Sequence, residues 1–345
     1  MPKKVLILAL VPLLLFLASC NNANPQNSPS PSPAATVEQS GVTPSPSPKP
    51  DLSQAIPEKL RNGDQEPILK VYDTKDKTVK EMDVESYLYG VVAGEMHNDW
   101  PEEALKAQAI IARTFVLRFV GDKTSKYKGA DISTDIEEAQ AYDEESVNER
   151  VKKAVDETGG IAILYQGKPI QAWFHAHAGG QTALAAEGLN YTKQETPYIV
   201  SVPSPDSEDA PADTQEWSAS FTEKEFLTAA QKQGLKASSI EEVAVTEWGP
   251  SGRAVQLSVN GTPLNMPDLR IALGSEKLRS TFLTSVAVKG GKVTFQGKGF
   301  GHGVGMSQWG AYEMAKKGAT AEEIISYYFK DVNVEQLWQH TEKAE

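Results

Sequence analysis

Two apolar stretches with a short polar interruption make up residues 84–120, which read VESYLYGVVAGEMHNDWPEEALKAQAIIARTFVLRFV. The first stretch predicts a helix over residues 84–92 that leads into a turn at Gly94-Glu95. Pro101 suits the first position of a second helix, and the two glutamates after it favour the positive end of the helix dipole. Apolar residues recur along one face of this second helix at the spacing of helical turns. The pattern therefore predicts a long helix that is buried along a broad stripe.

Short strands and glycine turns surround this pair of helices. Residues 68–73 and 77–82 are predicted to pair, and residues 161–165 and 168–175 are predicted to form a hairpin. A similar hairpin is indicated between residues 281–289 and 292–297, around Gly290-Gly291. Residues 201–214, rich in Pro, Asp and Ser, are expected to form a long exposed loop. Strands and helices that are mixed in this way, with mostly antiparallel pairing, are typical of an α+β fold.

The N-terminus has the features of an export signal. Lys3 and Lys4 precede an apolar run over residues 5–17, which is short for a membrane-spanning helix. The run ends in Leu-Ala-Ser-Cys, and small residues before Cys20 suit the narrow cleft of a lipoprotein signal peptidase. Cys20 would then be lipidated and would hold the protein outside the cell, on the membrane. The alternative is an ordinary secretory signal with an incidental cysteine.

Composition predicts the organisation of the whole chain. Residues 1–20 are the predicted lipoprotein signal, and residues 21–55, rich in Pro and Ser, are a predicted disordered tether. A single large domain is expected over residues 65–335, with a tail over residues 336–345. Because Cys20 is the only cysteine, the exported domain should contain no disulfide.

The charge balance argues against nucleic acid as a partner. The chain has 34 basic and 46 acidic residues, which gives a formal net charge of −12 at pH 7. Binding a phosphate backbone requires clustered lysine and arginine. A partner in the anionic cell wall would therefore have to be recognised locally, through hydrogen bonds and stacking on sugars.

Two charged residues stand out within the apolar stretches. Glu95 lies between an apolar run and Trp100, and apolar surroundings raise the pKa of a carboxyl group towards the range that a general acid needs. A glutamate beside a helix terminus can equally serve as a cap. Arg113 lies on the second helix, where a guanidinium needs an anionic or carbonyl partner, and pairing with a core acid is the simpler interpretation.

Two further clusters contain histidine and glycine. His175 and His177 are two residues apart at a predicted strand end and could bind metal or lie solvated on the surface. They precede Gly179-Gly180, which would allow the backbone to approach a ligand closely. Glycine also alternates through residues 297–305, without the spacing of a dinucleotide-binding loop. That loop could place His302, Gln308 and Trp309 against a sugar, or could serve tight packing alone.

Taken in order along the chain, these clusters resemble the SpoIID/LytB family, which includes stage II sporulation protein D and the amidase enhancers. The resemblance extends over about residues 68–329 and is most specific in its last segment. The segments that carry it are residues 87–96, 100–109 and 112–114, Phe174-His175 with Gly179-Gly180 and Thr182, Pro197-Tyr198 to Pro205-Asp206 with Trp217, and residues 299–311.

The resemblance implies a peptidoglycan lytic transglycosylase with one essential glutamate, at the position of Glu95. In that reaction the glutamic acid protonates the oxygen between N-acetylmuramic acid and N-acetylglucosamine. The carboxylate then takes a proton from the muramic C6 hydroxyl, which closes a 1,6-anhydro ring without water or a cofactor. The motif positions also suggest substrate-binding residues, which are Arg113, His175, Gln181, His302 and Gln308.

Two other functions remain open at the level of sequence. The protein could bind peptidoglycan glycan strands without cutting them and enhance an N-acetylmuramoyl-L-alanine amidase. It could also be a metalloenzyme that uses His175, His177 and His302. Some members of the family bind zinc through a cysteine pair, but residues 133–142 contain neither cysteine nor histidine, so no metal is expected there.

Overall fold

The structure is a computed structural model, and it describes residues 52, 54–63 and 65–340. Cys20 and the predicted signal lie outside the described residues, as does most of the predicted tether. The described helices are α1 (Val84–Glu95), α2 (Glu102–Asp122), α3 (Glu149–Asp156), α4 (Ala185–Leu189), α5 (Ala212–Gln215), α6 (Glu223–Gln231), α7 (Met266–Leu273), α8 (Gln308–Lys316) and α9 (Ala321–Tyr328), with a 3₁₀ turn at Glu58–Leu60. Across the described ranges, no helix is long and apolar enough to cross a membrane.

The strands form several small sheets rather than one large one. They are β1 (Ile68–Asp73), β2 (Thr78–Asp83), β3 (Ile132–Ser133), β4 (Ile161–Tyr165), β5 (Lys168–Pro169), β6 (Phe174–His175), β7 (Glu216–Thr222), β8 (Val243–Trp248), β9 (Ala254–Val259), β10 (Thr262–Asn265), β11 (Leu283–Lys289), β12 (Lys292–Lys298), β13 (Met306–Ser307) and β14 (Asn333–Gln336). The orders are β2-β1-β3, β14-β4-β5, β10-β9-β8, β11-β12-β7 and β13-β6. The β1–β3 and β6–β13 pairs are parallel and the others are antiparallel, so the predicted α+β class is confirmed.

The long second helix is the centre of the first hydrophobic core. Residues on most sides of α2 are buried, including Ala104, Ile111 and Val116. The helix packs against α1, α3, α8, α9 and β4. Burial all around a helix requires partners on every side, and these five elements supply them.

A second hydrophobic core lies within the C-terminal half of the chain. It contains apolar residues of α6, α7 and the strands from β7 to β12, such as Phe221, Phe226 and Phe295. Buried Arg253 connects this part to the turn after β6, because its guanidinium donates to the carbonyls of Gln181 and Ala178 at 2.7 and 2.6 Å. The single predicted domain is thus built around two apolar clusters.

Three local predictions need correction. The strand predicted over residues 168–175 is two short strands in different sheets, because Phe174–His175 pairs in parallel with β13 instead of continuing the hairpin. Residues 336–340 are part of the fold and not of a tail, since Trp338 is only 2% exposed. The segment 201–214, expected to be an exposed loop, ends in α5 and buries the side chains of Ser204 and Ser207.

Candidate functional site

Glu95 is the last residue of α1, because the chain turns to an extended conformation at Met96. The turn predicted at Gly94-Glu95 is therefore wrong, because both residues belong to the last turn of the helix. At this end of a helix the macrodipole is negative, which disfavours a carboxylate. The residue is partly exposed, so the carboxyl group lies in an apolar setting but can be reached from solvent.

Burial raises the pKa of the Glu95 carboxyl group from 4.5 to about 7. Hydrogen bonding from Ala141 and from the Gln308 side chain lowers the pKa and so acts in the opposite direction. The Ala141 N–H donates to Glu95 Oε1 at 2.7 Å. The Gln308 side-chain amide also donates to the Glu95 backbone carbonyl at 3.0 Å, which holds it beside the acid. Because Oε1 already accepts a hydrogen bond, the proton of the neutral acid is best placed on Oε2. A carboxyl group of this pKa can give and take a proton near neutral pH.

Residues 140–143, which include the Ala141 donor to Glu95, pack closely against two glycines of α1. A Cβ atom on Gly94 would lie 2.8 Å from the backbone nitrogen of Tyr142, and one on Gly90 would overlap the Tyr142 ring. The Asp143 N–H also donates to the Gly90 carbonyl at 2.9 Å. The Gly-x-x-x-Gly spacing on α1 thus provides a flat surface on which residues 140–143 lie.

Four aromatic rings form a cluster that we call the aromatic shelf: His97 and Trp100, which follow Glu95 in the chain, and Trp309 and Tyr312 of α8. Trp100 is buried and its ring centroid lies 4.5 Å from that of Trp309 and 5.0 Å from that of Tyr312. The rings of Trp309 and Tyr312 are half-buried, and His97 is exposed. Aromatic faces beside an acid can hold the apolar face of a sugar ring.

Glu95 does not line four surface depressions of the fold, among them one of about 500 Å³ beside Gln166 and Lys168. A small ligand needs enclosure to bury most of its surface, whereas a polymer can bind along an extended face.

Of the residues expected to bind substrate, only Gln308 is brought to Glu95. It begins α8 immediately before Trp309, and its side chain is 7% exposed. The helix is capped by Ser307, whose side chain accepts from the Gly310 N–H at 3.3 Å. The cap thereby fixes the direction in which Gln308 leaves the backbone.

Arg113 is fully buried and lies inside the core. Its guanidinium forms an ion pair with Glu85 of α1 and donates to the Ile161 carbonyl at 2.9 Å. The Gly160 N–H donates to the same Glu85 carboxylate at 2.9 Å. No surface of the guanidinium is left for a sugar, so the expected substrate contact is wrong and pairing with a core acid is the role that the structure supports.

The histidines support the loops instead of facing Glu95. His175 Nδ1 lies 3.2 Å from the Val304 carbonyl, and His302 Nδ1 accepts from the Val304 N–H at 3.0 Å. Burial lowers the pKa of His175 well below its usual value and that of His302 to about 3, so both rings are neutral. In the described residues, no group of three or more His, Cys, Asp or Glu side chains is arranged to hold a metal ion.

Gln181 has a similar supporting role. Its side chain donates to the Ser201 hydroxyl at 2.8 Å, and its backbone carbonyl accepts from Arg253 at 2.7 Å. These contacts tie the turn after β6 to the segment that follows α4. They do not bring Gln181 to Glu95.

Comparison with known proteins identifies the family of the chain. The protein is 33% identical over 290 residues to stage II sporulation protein D of Bacillus amyloliquefaciens, which covers 78% of this chain and 81% of the relative. The chain belongs to the stage II sporulation protein D family. Residues 72–165, which include Glu95, match the family described as Stage II sporulation protein, and residues 190–305 match a domain of unknown function (DUF8618).

Two further relatives come from Bacillus subtilis (strain 168). Its stage II sporulation protein D is 31% identical over 280 residues, which is 77% of this chain and 78% of the relative. Its amidase enhancer is 27% identical over 291 residues, which is 70% of this chain and 39% of the relative. The chain is therefore similar to proteins of two different descriptions.

Sequence reasoning missed the contribution of residues 140–143. The signal for it was the pair Gly90 and Gly94, four residues apart on a helix of otherwise large side chains. Glycine inside a helix costs about 1 kcal/mol relative to alanine, so a pair on one face points to close approach by another segment.

Replacing Gly94 with alanine tests the close approach. The new Cβ atom would force the backbone of Tyr142 away, and we expect the free energy of unfolding to fall by about 1–3 kcal/mol, as overpacking does. Gly121→Ala in α2 is the matched control, because its Cβ atom would have an ordinary contact at 3.5 Å with Pro57. There we expect a gain of up to about 1 kcal/mol from helix propensity. Equal gains for both variants in urea unfolding would contradict a tight contact at Gly94.

The pKa of Glu95 predicts a pH-dependent stability difference. The folded state binds the Glu95 proton more tightly than the unfolded chain does, so the stability of the wild type should fall as the pH rises from 4.5 to about 7. Glu95→Gln removes this loss. At pH 8 the variant should be more stable than the wild type by on the order of 1–3 kcal/mol, and at pH 4 the two should have nearly the same free energy of unfolding. Thermal unfolding across this range measures it, with the exposed carboxyl of Glu241 replaced by Gln as control. A difference between Glu95→Gln and the wild type that does not change with pH would refute the buried-acid assignment.

Proposed function

We propose that the protein is a peptidoglycan lytic transglycosylase that cleaves the bond between N-acetylmuramic acid and N-acetylglucosamine. The observation that carries the proposal is the state of Glu95, a partly exposed carboxyl group whose pKa burial raises to about 7. In the described part of the chain no acidic or basic side chain contributes to this shift. A single carboxyl group suits a reaction in which the same residue serves first as acid and then as base.

In the proposed reaction the proton on Glu95 Oε2 passes to the bridging glycosidic oxygen, and the bond from that oxygen to the muramic C1 breaks. The N-acetylglucosamine side leaves as an alcohol. The Glu95 carboxylate then accepts the proton of the muramic C6 hydroxyl while the C6 oxygen forms a bond to C1. Glu95 is protonated again at the end, and no water is consumed.

The neighbouring residues support both stages. The Ala141 N–H stabilises the carboxylate that forms after the first proton transfer. The aromatic shelf provides ring faces on which a sugar can stack.

The similarity to the amidase enhancer favours a second candidate, in which the protein binds glycan strands and stimulates a separate cell-wall amidase. The same shelf would hold the sugar in that case. Glu95 would then have no proton to transfer, and its replacement by glutamine would leave the function intact.

Cleavage by the folded part of the chain distinguishes the two candidates. The unit over residues 49–345 would be incubated with peptide-free glycan strands and with intact peptidoglycan, and the products read by mass spectrometry. We expect 1,6-anhydro-muramic ends from the wild type, and a rate at least about a hundredfold lower from Glu95→Gln. Asp99→Asn, at an exposed acid four residues away, is the control and should retain activity. The value of kcat/KM should fall above a pH of about 7, because the acid must start protonated.

If the wild type binds glycan strands but does not cleave them, the proposed transglycosylase activity is refuted. Stimulation of an added N-acetylmuramoyl-L-alanine amidase by both the wild type and Glu95→Gln would then establish the enhancer. A product without the anhydro ring would instead indicate hydrolysis.

We further propose that the protein is exported and anchored to the outer face of the membrane through lipidated Cys20. In cells fed a palmitate analogue, the wild type should incorporate label and stay with the membrane fraction. Cys20→Ala should take up no label, while Asn22→Ala, which keeps the cysteine, should behave as the wild type. Equal labelling of the wild type and Cys20→Ala would rule out this anchor.

A further inference from the structure

A buried carboxylate outside the site described above lies at the base of α8. The Asp206 side chain is 4% exposed, and it lies in the segment before α5. Its Oδ1 accepts from the hydroxyls of Ser204 and Ser307 at 2.8 and 2.6 Å, and its Oδ2 accepts from the Gly180 N–H at 3.0 Å. A carboxylate removed from water requires such donors, because each unsatisfied lone pair is costly.

The charge of Asp206 is balanced by hydrogen bonds more than by a cation. His177 Nδ1 lies 3.4 Å from Asp206 Oδ2, but this nitrogen accepts the Gly179 N–H at 3.0 Å and so carries no proton in the neutral ring. Burial also lowers the pKa of His177, which keeps the ring neutral. The other titratable groups that interact with Asp206 are the buried side chains of Arg253 and Tyr328.

The contact with Ser307 links Asp206 to the acid. A hydroxyl has one proton, and Ser307 gives it to Asp206, which leaves its lone pairs directed to the Gly310 N–H at the start of α8. The next residue, Gln308, donates to the Glu95 backbone carbonyl at 3.0 Å. Trp309 of the aromatic shelf is the next residue, and its backbone N–H donates to the Ala176 carbonyl at 3.0 Å.

We propose that Asp206 is a positioning residue for Glu95, acting through Ser307 to hold Gln308 and the first turn of α8 against the end of α1. The catalytic meaning of this inference rests on the proposed function. The hydrogen bonds that connect Asp206 to Glu95 do not depend on it. Without the Asp206 acceptor the Ser307 hydroxyl is free to rotate, and the cap that directs Gln308 is lost.

A merely structural role for Asp206 would lower stability without changing Glu95. The two cases are separated by the titration of Glu95, measured by NMR of carboxyl-labelled glutamate in the complete chain without substrate, with Glu95→Gln identifying the signal. The Gln308 side chain lowers the pKa of the Glu95 carboxyl group, and its hydrogen bond to the Glu95 backbone carbonyl holds it there, so loss of this arrangement should raise that pKa. We therefore expect Asp206→Asn, Ser307→Ala and Gln308→Ala each to raise the Glu95 pKa by a similar amount.

Matched variants sharpen this experiment. Ser204→Ala removes a donor to the same Asp206 oxygen, but Ser204 connects to Tyr328 at 3.0 Å and not to Gln308. It should reduce thermal stability and leave the Glu95 titration unchanged. The double variant Asp206→Asn with Gln308→Ala should show no further shift beyond Gln308→Ala alone, because both changes break one chain of contacts.

The result that overturns the proposal is a Glu95 titration that matches the wild type in Asp206→Asn or, if that variant does not fold, in Ser307→Ala. Additive shifts in the double variant would overturn it as well. Where the wild type cleaves glycan, we also expect kcat to fall roughly ten- to a hundredfold in Asp206→Asn and in Ser307→Ala. If the wild type does not cleave, the titration still decides the role of Asp206, so the two proposals fail separately.

Discussion

The ion pair between Glu85 and Arg113 holds together the elements on which the site depends. It joins α1 to α2 inside the core, and it also fixes the end of α3 and the start of β4 through the Ile161 carbonyl and the Gly160 N–H. Removing one partner of such a buried pair costs about 3–5 kcal/mol, because the other charge is left without compensation. This contact positions the start of α1, and Glu95 lies at the other end of the same helix.

Two distant parts of the chain donate hydrogen bonds to Glu95 at that end of α1. Ala141 is 46 residues beyond Glu95, and Gln308 is 213 residues beyond it. Each contributes a hydrogen bond, yet burial still dominates and raises the pKa of Glu95. The balance matters chemically, since more donors would lower the pKa and leave the group ionised at neutral pH, and fewer would leave the carboxylate too unstable to form.

Glycine and buried polar groups allow these segments to come so close. Gly94 permits the backbone of residues 141–142 to lie on α1, and Gly303 permits the guanidinium of Arg253 to lie under the glycine-rich loop. Both arrangements replace apolar packing by backbone contact and hydrogen bonds, which is costly for stability. Such costs are concentrated where the chain must bring a few polar atoms into a defined position.

The amino-acid sequence by itself determined the helices and most hairpins, because periodicity and turn residues act locally. The long α2 and the paired β11 and β12 were predicted close to their observed bounds. Order and spacing of motifs were also sufficient to single out Glu95 and Gln308. By contrast, the roles expected for Arg113 and the histidines depended on where their side chains point, which no local pattern specifies.

Tertiary structure alone decided the environment of the acid. Whether a glutamate beside a helix terminus is a cap or a general acid depends on how much water reaches it and which donors face it. Those donors come from Ala141 and Gln308, and the aromatic shelf combines His97 and Trp100, which precede Pro101, with two rings of α8. The sequence specifies the residues, but their pKa values and partners arise only when chain segments far apart in sequence are packed together.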